Sequence, residues 1–244
     1  MAIPKVIHYC WFGRNPLPES AKKCIASWRK FLPDYEIKEW NEDNFDVNSI
    51  PYTAEAYQVG KYAFVSDYAR FWILYHHGGL YFDTDVEVIK PLDDIVARGP
   101  FMGIEVPSSN GSFPLVAPGL GLGVNTGLGL YKDIIDYYAP LHFLKPDGTF
   151  NQVTVVRHVT KVLEANGLRP TNDLQQVAGI WIYPCDYFNP LDDLTGQLNV
   201  TENTRSIHWY ARTWSDSPGW RMRLSRWSHR VFGMRVHHLK AKLK

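Results

Sequence analysis

The chain has 244 residues, 26 Lys and Arg against 25 Asp and Glu, and an apolar fraction of 45%. These figures suit one α/β domain with a sizeable core, and so even a charge balance gives no reason to expect nucleic acid as a partner. Cys10, Cys24 and Cys185 make no paired framework, no stretch of about 18 apolar residues exists to span a bilayer, and no signal-like start is read, so the expected location is the cytoplasm.

Lys5 to Phe12 is β-branched and aromatic and follows Pro4, which predicts a central strand. Trp11, beside Gly13 at the end where α/β sheets bind ligands, is either a core tryptophan or a platform for a nucleobase. Pro18 to Phe31 predicts a helix with Ala21, Ile25, Trp28 and Leu32 on one stripe, stopped by Pro33. Tyr35 to Trp40 alternates as a strand, and residues 41–51 read as an acidic, turn-rich connection. Strand, helix and strand in this order predict a right-handed crossover and a parallel pair.

The stretch from Lys61 to Ile89 organises the rest. Tyr62, Val65, Ala69, Trp72, Ile73 and His76 recur at helical spacing, and Gly78 and Gly79 supply the stop. Leu80 to Phe82 is short enough for a buried strand, and Asp83, Thr84 and Asp85 follow it. On an extended chain residues two apart face one side, so the two carboxylates would converge on one ligand. Such a pair repels itself without a cation, and hard oxygens suit Mg2+ or Mn2+ bridging to a substrate's phosphates. An Asp-x-Asp is also an ordinary solvated turn. Asp67 and Arg70 share a face of the preceding helix, where they are either a surface ion pair or a charged pair awaiting a polar ligand.

Phe101 to Val106 predicts another strand, and residues 107–129, rich in Gly, Pro and Ser, read as a long lid or binding loop. Tyr131 to Tyr138 and Gln152 to Glu164 predict helices, and Gly179 to Tyr183 and Ser206 to Tyr210 predict strands.

The run VSDYARFWILYHHGGLYFDTDVEV, with S-D-x-x-R, then G-G, then D-x-D, resembles the core of the glycosyltransferases that carry a DXD sugar-binding region. That family includes capsular-polysaccharide enzymes and yeast α-mannosyltransferases, and is distantly similar to the clostridial glucosylating toxins. IPKVIHYCWFG resembles its first strand and uridine-binding turn, which makes Cys10 and Trp11 substrate-binding candidates. The resemblance implies a GT-A fold: a mixed, mostly parallel sheet flanked by helices, over residues 1–219. It implies a Mn2+- or Mg2+-dependent transfer, with retention, from a UDP-linked sugar to a saccharide acceptor, plausibly lipid-linked in capsular or surface polysaccharide synthesis. Asp83, Asp85 and Arg70 are the catalytic candidates; Asp67 and Asn125 would hold sugar hydroxyls, His208 would join Asp85 on the metal, and Trp214, in SIHWYARTW, would close over the donor.

Three other readings of the acidic pair were weighed. A calcium loop fails because Asp83, Asp85 and Glu87 lead into Val88 where glycine is required. A haloacid-dehalogenase-like phosphatase would use Asp83 as nucleophile, and a non-catalytic sugar-binding protein would share the metal but have no use for Trp11.

Residues 220–244 hold eight of the basic residues and no acidic one, leaving 18 basic against 25 acidic before them. Leu224, Trp227, Val231 and Met234 at helical spacing beside Arg223, Arg226 and Arg230 predict an amphipathic helix for an anionic membrane surface, without spanning it. The other readings are a solvated helix packed on the domain or a basic arm for nucleic acid.

Overall fold

The computed structural model describes residues 2–211. The 220–244 segment and Trp214 lie outside the described residues.

Strand β1 (Val6–Cys10) is followed by helix α1 (Glu19–Phe31) and strand β2 (Glu36–Trp40), which pairs in parallel with β1 as the crossover requires. Helix α2 (Pro51–Gln58) then starts with its proline in the first turn, where no N–H is missed. The sequence reading ended its connection at this residue and did not anticipate the helix. Helix α3 (Tyr62–His77) leads through Gly78 and Gly79, both at positive φ, into strand β3 (Gly79–Tyr81). Beyond the acidic turn lie strand β4 (Val86–Val88), helix α4 (Asp93–Arg98) and strand β5 (Phe101–Val106).

Residues 107–129 are not one long loop. They contain strands β6 (Leu115–Ala117) and β7 (Leu122–Val124), and Gly119, Gly121 and Gly123 serve packing: a Cβ on Gly123 would meet the side chains of Phe101 and Leu80. Helices α5 (Gly129–Tyr138) and α6 (Val155–Ala165), strands β8 (Gln175–Val177) and β9 (Ile180–Tyr183), helix α7 (Cys185–Phe188) and strand β10 (Ser206–His208) complete the order.

The main sheet runs β2-β1-β3-β7-β5-β9-β8, with β6 along the β5 edge. Strands β1, β2, β3, β5 and β9 point one way and β6, β7 and β8 the other, which is the expected mixed, mostly parallel sheet. Antiparallel β7 is inserted between β3 and β5, in the middle of the sheet, whereas β8 lies at its edge.

Two cores cover the two faces. On one, α3 is buried around much of its circumference, because α2 and α5 pack on it as well as the sheet. The expected single stripe is therefore corrected: Val65, Ala69 and Ile73 are buried, but Tyr62 and Trp72 are half-buried, His76 is exposed, and Phe71 and Leu74 are buried in addition. On the other face Trp28 of α1 is fully buried between Tyr9 and Phe82. Its Nε1 donates to the Val86 carbonyl (2.8 Å), while Ser27 Oγ accepts the Val88 N–H (2.9 Å), so α1 satisfies one edge of β4 and β10 the other.

His8 is the buried histidine of the central strand. Trp40 Nε1 donates to its Nδ1 (2.9 Å), so Nε2 carries the proton and donates to the Gly78 carbonyl (2.9 Å), tying the end of α3 to β1. Burial, offset in part by that carbonyl, pushes its pKa down to about 4. A folded-state pKa below the unfolded value of about 6.5 means that stability is fully present above pH 6.5 and falls as the pH drops toward 4, because only the unfolded chain takes up the proton readily. Wild-type protein should lose about 2 kcal/mol more than His8→Gln between pH 7 and pH 5, read from urea unfolding at both values.

Candidate active site

A cleft of about 1160 Å³ opens over the C-terminal ends of β1, β3 and β5, where α/β sheets present their ligand sites. Its floor is built on Arg70, whose side chain is only 4% exposed. The guanidinium reaches Asp67 Oδ1 (3.0 Å) and Asp83 Oδ2 (3.3 Å), donates through Nε to the Ser66 carbonyl (3.0 Å) and lies over the Tyr81 ring. Burial works against its charge, and Asp83, Tyr81 and Asp67 more than offset that. The Asp67 and Arg70 pair of α3 is thus internal and not a surface ion pair. Burial pushes the Asp67 carboxyl up to about 7 against the pull of Arg70.

Asp83 is fixed from three sides. Arg70 holds Oδ2, the Tyr81 hydroxyl donates to Oδ1 (3.1 Å), and its own N–H donates to the Gly119 carbonyl (3.1 Å). Gly119 is required here, since a Cβ would fall on the Asp83 carboxylate.

The expected convergence of Asp83 and Asp85 on one side of a strand does not occur. Thr84 and Asp85 form a turn closed by Val86 N–H to Asp83 carbonyl (3.0 Å), so Asp83 is committed to Arg70 and Asp85 to His208. Both still line the cleft. Strand β10 brings His208 there by pairing antiparallel with β4, His208 opposite Val86. His208 Nε2 lies 3.2 Å from Asp85 Oδ1, and the Ala211 N–H donates to Asp85 Oδ2 (2.8 Å). Burial would raise the Asp85 carboxyl, but His208 and the hydrogen bonds leave it below its usual range; burial would lower His208, but Asp85 leaves it raised.

His208 Nδ1 is buried and finds no hydrogen-bond partner among the described residues. A carboxylate and an imidazole with a spare buried nitrogen fit a Mg2+ or Mn2+ ion that takes its other ligands from phosphate and water. No group of three or more His, Cys, Asp or Glu that could hold a metal occurs among the described residues, so the protein share of such a shell is small.

Trp11 is half-buried and lines the cleft, its Nε1 donating to the Asn15 carbonyl (2.6 Å). The turn it opens is held by Gly13, at φ 94°, whose N–H donates to Glu42 Oε1 (2.6 Å), and by the Arg14 and Asp43 pair. Cys10 also lines the cleft, and burial pushes its thiol up to about 12.

Asn125 is not brought to the site. It follows Val124, which pairs with Gly79 at the start of β3, so it sits at the opposite end of the sheet from Asp83. The antiparallel direction of β7 puts it there. Sequence reasoning also missed Gly119, which backs Asp83, and two cleft residues, Glu105 and Tyr210. Gly119 lay within the stretch read as a loop. Glu105, on β5, carries a carboxyl that burial pushes up. Tyr210 adopts a left-handed φ of 51°, accepts a hydrogen bond from Asn189 Nδ2 (2.7 Å) and lays its ring 4.1 Å from that of His208. A strand glutamate carries no motif, and a strained tyrosine has no sequence signal.

Residues 18–102 match the family described as "Glycosyltransferase sugar-binding region containing DXD motif". Among curated proteins, the chain is 30% identical to inositol phosphoceramide mannosyltransferase 1 of Schizosaccharomyces pombe over 111 residues, 41% of this chain and 33% of that one. It is 26% identical to the uncharacterized glycosyltransferase L373 of Acanthamoeba polyphaga mimivirus over 196 residues, 77% of this chain and 75% of that one. The chain therefore spans about a third of the fission-yeast relative and three quarters of the viral one. A solved glycosyltransferase involved in the glycosylation of the major capsid of PBCV-1 superposes with a TM-score of 0.52 at 12% identity, covering 91% of this chain and 99% of that one, which speaks to the fold alone.

Gly119→Ala should cost about 1–3 kcal/mol by overpacking against Asp83, and much less in an Asp83→Ala background where the obstructing carboxylate is gone. Urea unfolding of the four proteins in this double-mutant cycle checks the coupling; additive losses would contradict the contact.

Proposed function

With residues 18–102 placing this chain among the glycosyltransferases that carry a DXD sugar-binding region, we propose that it moves a sugar, with retention of anomeric configuration, from a UDP-linked donor to a saccharide acceptor. The observation that carries this reading is the Asp85 and His208 pair, with its spare buried nitrogen, standing beside the buried Asp67 and Arg70 and the half-buried Asp83 on the floor of one cleft.

In this reading Trp11 offers its exposed face to the uracil ring, on a turn held by Glu42 and Asp43. Asp85 and His208 hold Mn2+ or Mg2+, which when bound neutralises charge developing on the departing diphosphate. Arg70 is fixed by two carboxylates, so its donors present a preset positive field with little reorganisation left to occur. Asp83, already oriented by Tyr81 and Arg70, faces the ribose and donor sugar, and Asp67 supplies a hydroxyl acceptor. The acceptor hydroxyl attacks the anomeric carbon on the face from which the diphosphate departs, so that the new C–O bond replaces the broken sugar–phosphate bond with the same configuration and the hydroxyl proton passes to the departing diphosphate.

The acceptor is a lipid-linked saccharide of capsular or surface polysaccharide synthesis at the inner face of the cell membrane. Residues 220–244, with eight basic residues and no acidic one, dock on the anionic lipid of that surface without spanning it.

Asp85→Asn should abolish the Mn2+ dependence of UDP binding while leaving the fold intact, since the amide keeps the shape and removes the charge facing the cation. Isothermal titration with UDP, with and without Mn2+, decides; undiminished dependence would refute the metal assignment. Trp11→Ala should weaken UDP by roughly 5- to 150-fold, the equivalent of about 1–3 kcal/mol of base stacking, and raise KM far more than it lowers kcat. A fall in kcat at constant KM would contradict the stacking role.

A further inference from the structure

Three parallel strands deliver side chains to the cleft, and their order in the sheet lays the site out in space. Trp11 follows β1, Asp83 stands just after β3, and Glu105 is the penultimate residue of β5, with antiparallel β7 between β3 and β5. Neighbouring strands lie about 4.8 Å apart, so the end of β1 is one strand from that of β3 on one side, and the end of β5 is two strands, about 10 Å, on the other. In the transfer reading Trp11 and Asp83 take the nucleotide and donor sugar, which leaves the β5 side of the cleft without a ligand assigned to it.

Glu105 reaches that side through an irregularity in its strand. Ile104 pairs with Val116 and Val106 with Leu115, so Glu105 is one extra residue against β6, a bulge, and bulges turn a side chain out of the regular alternation. Its carbonyl is taken up instead by Asn189 Nδ2 (3.2 Å) and the Cys185 thiol (3.4 Å), both from the segment that follows β9. The Tyr210 hydroxyl is hydrogen-bonded to its carboxylate, and that hydroxyl accepts Asn189 Nδ2 (2.7 Å). Asn189 thus clamps the backbone and the side chain of the bulge together.

The group has acceptors left over and no donors. Asn189 is only 6% exposed and lines the cleft, yet its Oδ1 is buried with no partner among the described residues, which is costly unless something supplies a donor. The Glu105 carboxylate, with room for about four hydrogen bonds, also keeps capacity beyond Tyr210. Burial works against its charge, and His208 and the Tyr210 hydroxyl work for it. The donors are spent, Asn189 Nδ2 on the Glu105 carbonyl and Tyr210, and the Tyr210 hydroxyl on the carboxylate. Such a set binds a group that brings its own O–H donors and rejects phosphate or carboxylate. We propose that Glu105 and Asn189 form the acceptor subsite, receiving hydroxyl groups of the acceptor saccharide and holding it across the cleft from Asp83. The naming of a saccharide rests on the glycosyl-transfer reading, while the preference for hydroxyl donors rests on the bulge alone.

The test uses the full chain, with methyl glycosides of glucose, galactose, mannose and N-acetylglucosamine as probes, titrated with and without UDP and Mn2+ and followed by saturation-transfer difference NMR. Wild-type protein should bind at least one of these glycosides in at least one condition. Glu105→Gln, which keeps the shape but removes the charge and one acceptor oxygen, should weaken that glycoside about tenfold or more, and Tyr210→Phe, which removes the hydroxyl that holds the carboxylate, about threefold or more. Both variants should keep the wild-type melting curve and UDP affinity; where Glu105→Gln loses its melting transition, Tyr210→Phe carries the comparison alone. No glycoside bound by wild type, or equal binding by both variants, would overturn the proposal. So would a glycoside signal lost in Arg157→Ala and kept in Glu105→Gln, which would move the acceptor to the α6 side of the cleft, or a parallel loss of UDP affinity in Glu105→Gln, which would make Glu105 part of the donor site. Calorimetry reads UDP separately: its failure on wild type sinks the transfer reading and leaves a glycoside effect of Glu105→Gln standing, whereas an absent glycoside effect sinks the subsite and leaves UDP binding intact.

Discussion

A guanidinium with 4% of its side chain exposed can stay charged only if the protein surrounds it with acceptors, and Arg70 is surrounded by Asp67, Asp83, the Ser66 carbonyl and the Tyr81 ring. Breaking such a group by removing one partner leaves a buried charge uncompensated, so the four positions are constrained together. Because Asp67 and Arg70 sit on α3 and Asp83 at the end of β3, the same ion cluster fixes how the helix meets the sheet and where the cleft floor lies. Structure and chemistry share one set of bonds there.

The second half of the site is assembled differently. Asp85 stands at the start of β4, a strand outside the main sheet, whose edges are satisfied by Trp28 and Ser27 of α1 on one side and by β10 on the other. His208 reaches Asp85 through that pairing register, and Tyr210, strained at φ 51° and tethered by Asn189, packs on the imidazole. Arg70 is thus held by local burial, whereas His208 is held by a long-range strand pair. Two separate mechanical supports meet on adjacent carboxylates.

Much of this was legible in the sequence. The helix over Tyr62–His77, its glycine stop and the short strand after it stand close to where the spacing put them, because helical periodicity and glycine at positive φ are local properties. The residues that failed depended on distant context. The turn at Thr84 and Asp85 replaced an extended strand because Val86 closes back on Asp83, and Asn125 went to the wrong end of the sheet because nothing local reveals that β7 runs antiparallel. Glycines at 119 and 123 looked like loop composition, yet each is there because a neighbouring side chain occupies the space of a Cβ.

The pairing of β4 with β10 also sets an order in time. During synthesis Asp85 is made long before Ser206–His208, so the α1 contacts to Val86 and Val88 can form while the opposite edge of β4 still waits for its partner. Contacts between residues so far apart in the chain are slow to close, because loop entropy is spent before the pairing returns anything. The Arg70 cluster, drawn from residues 66–83, can mature on the nascent chain, but the imidazole beside Asp85 arrives only once residue 208 has been made. A ribosome-bound chain that has not reached that residue would hold a finished floor beside an Asp85 still without its partner, so that completing the cleft waits on a long-range pairing.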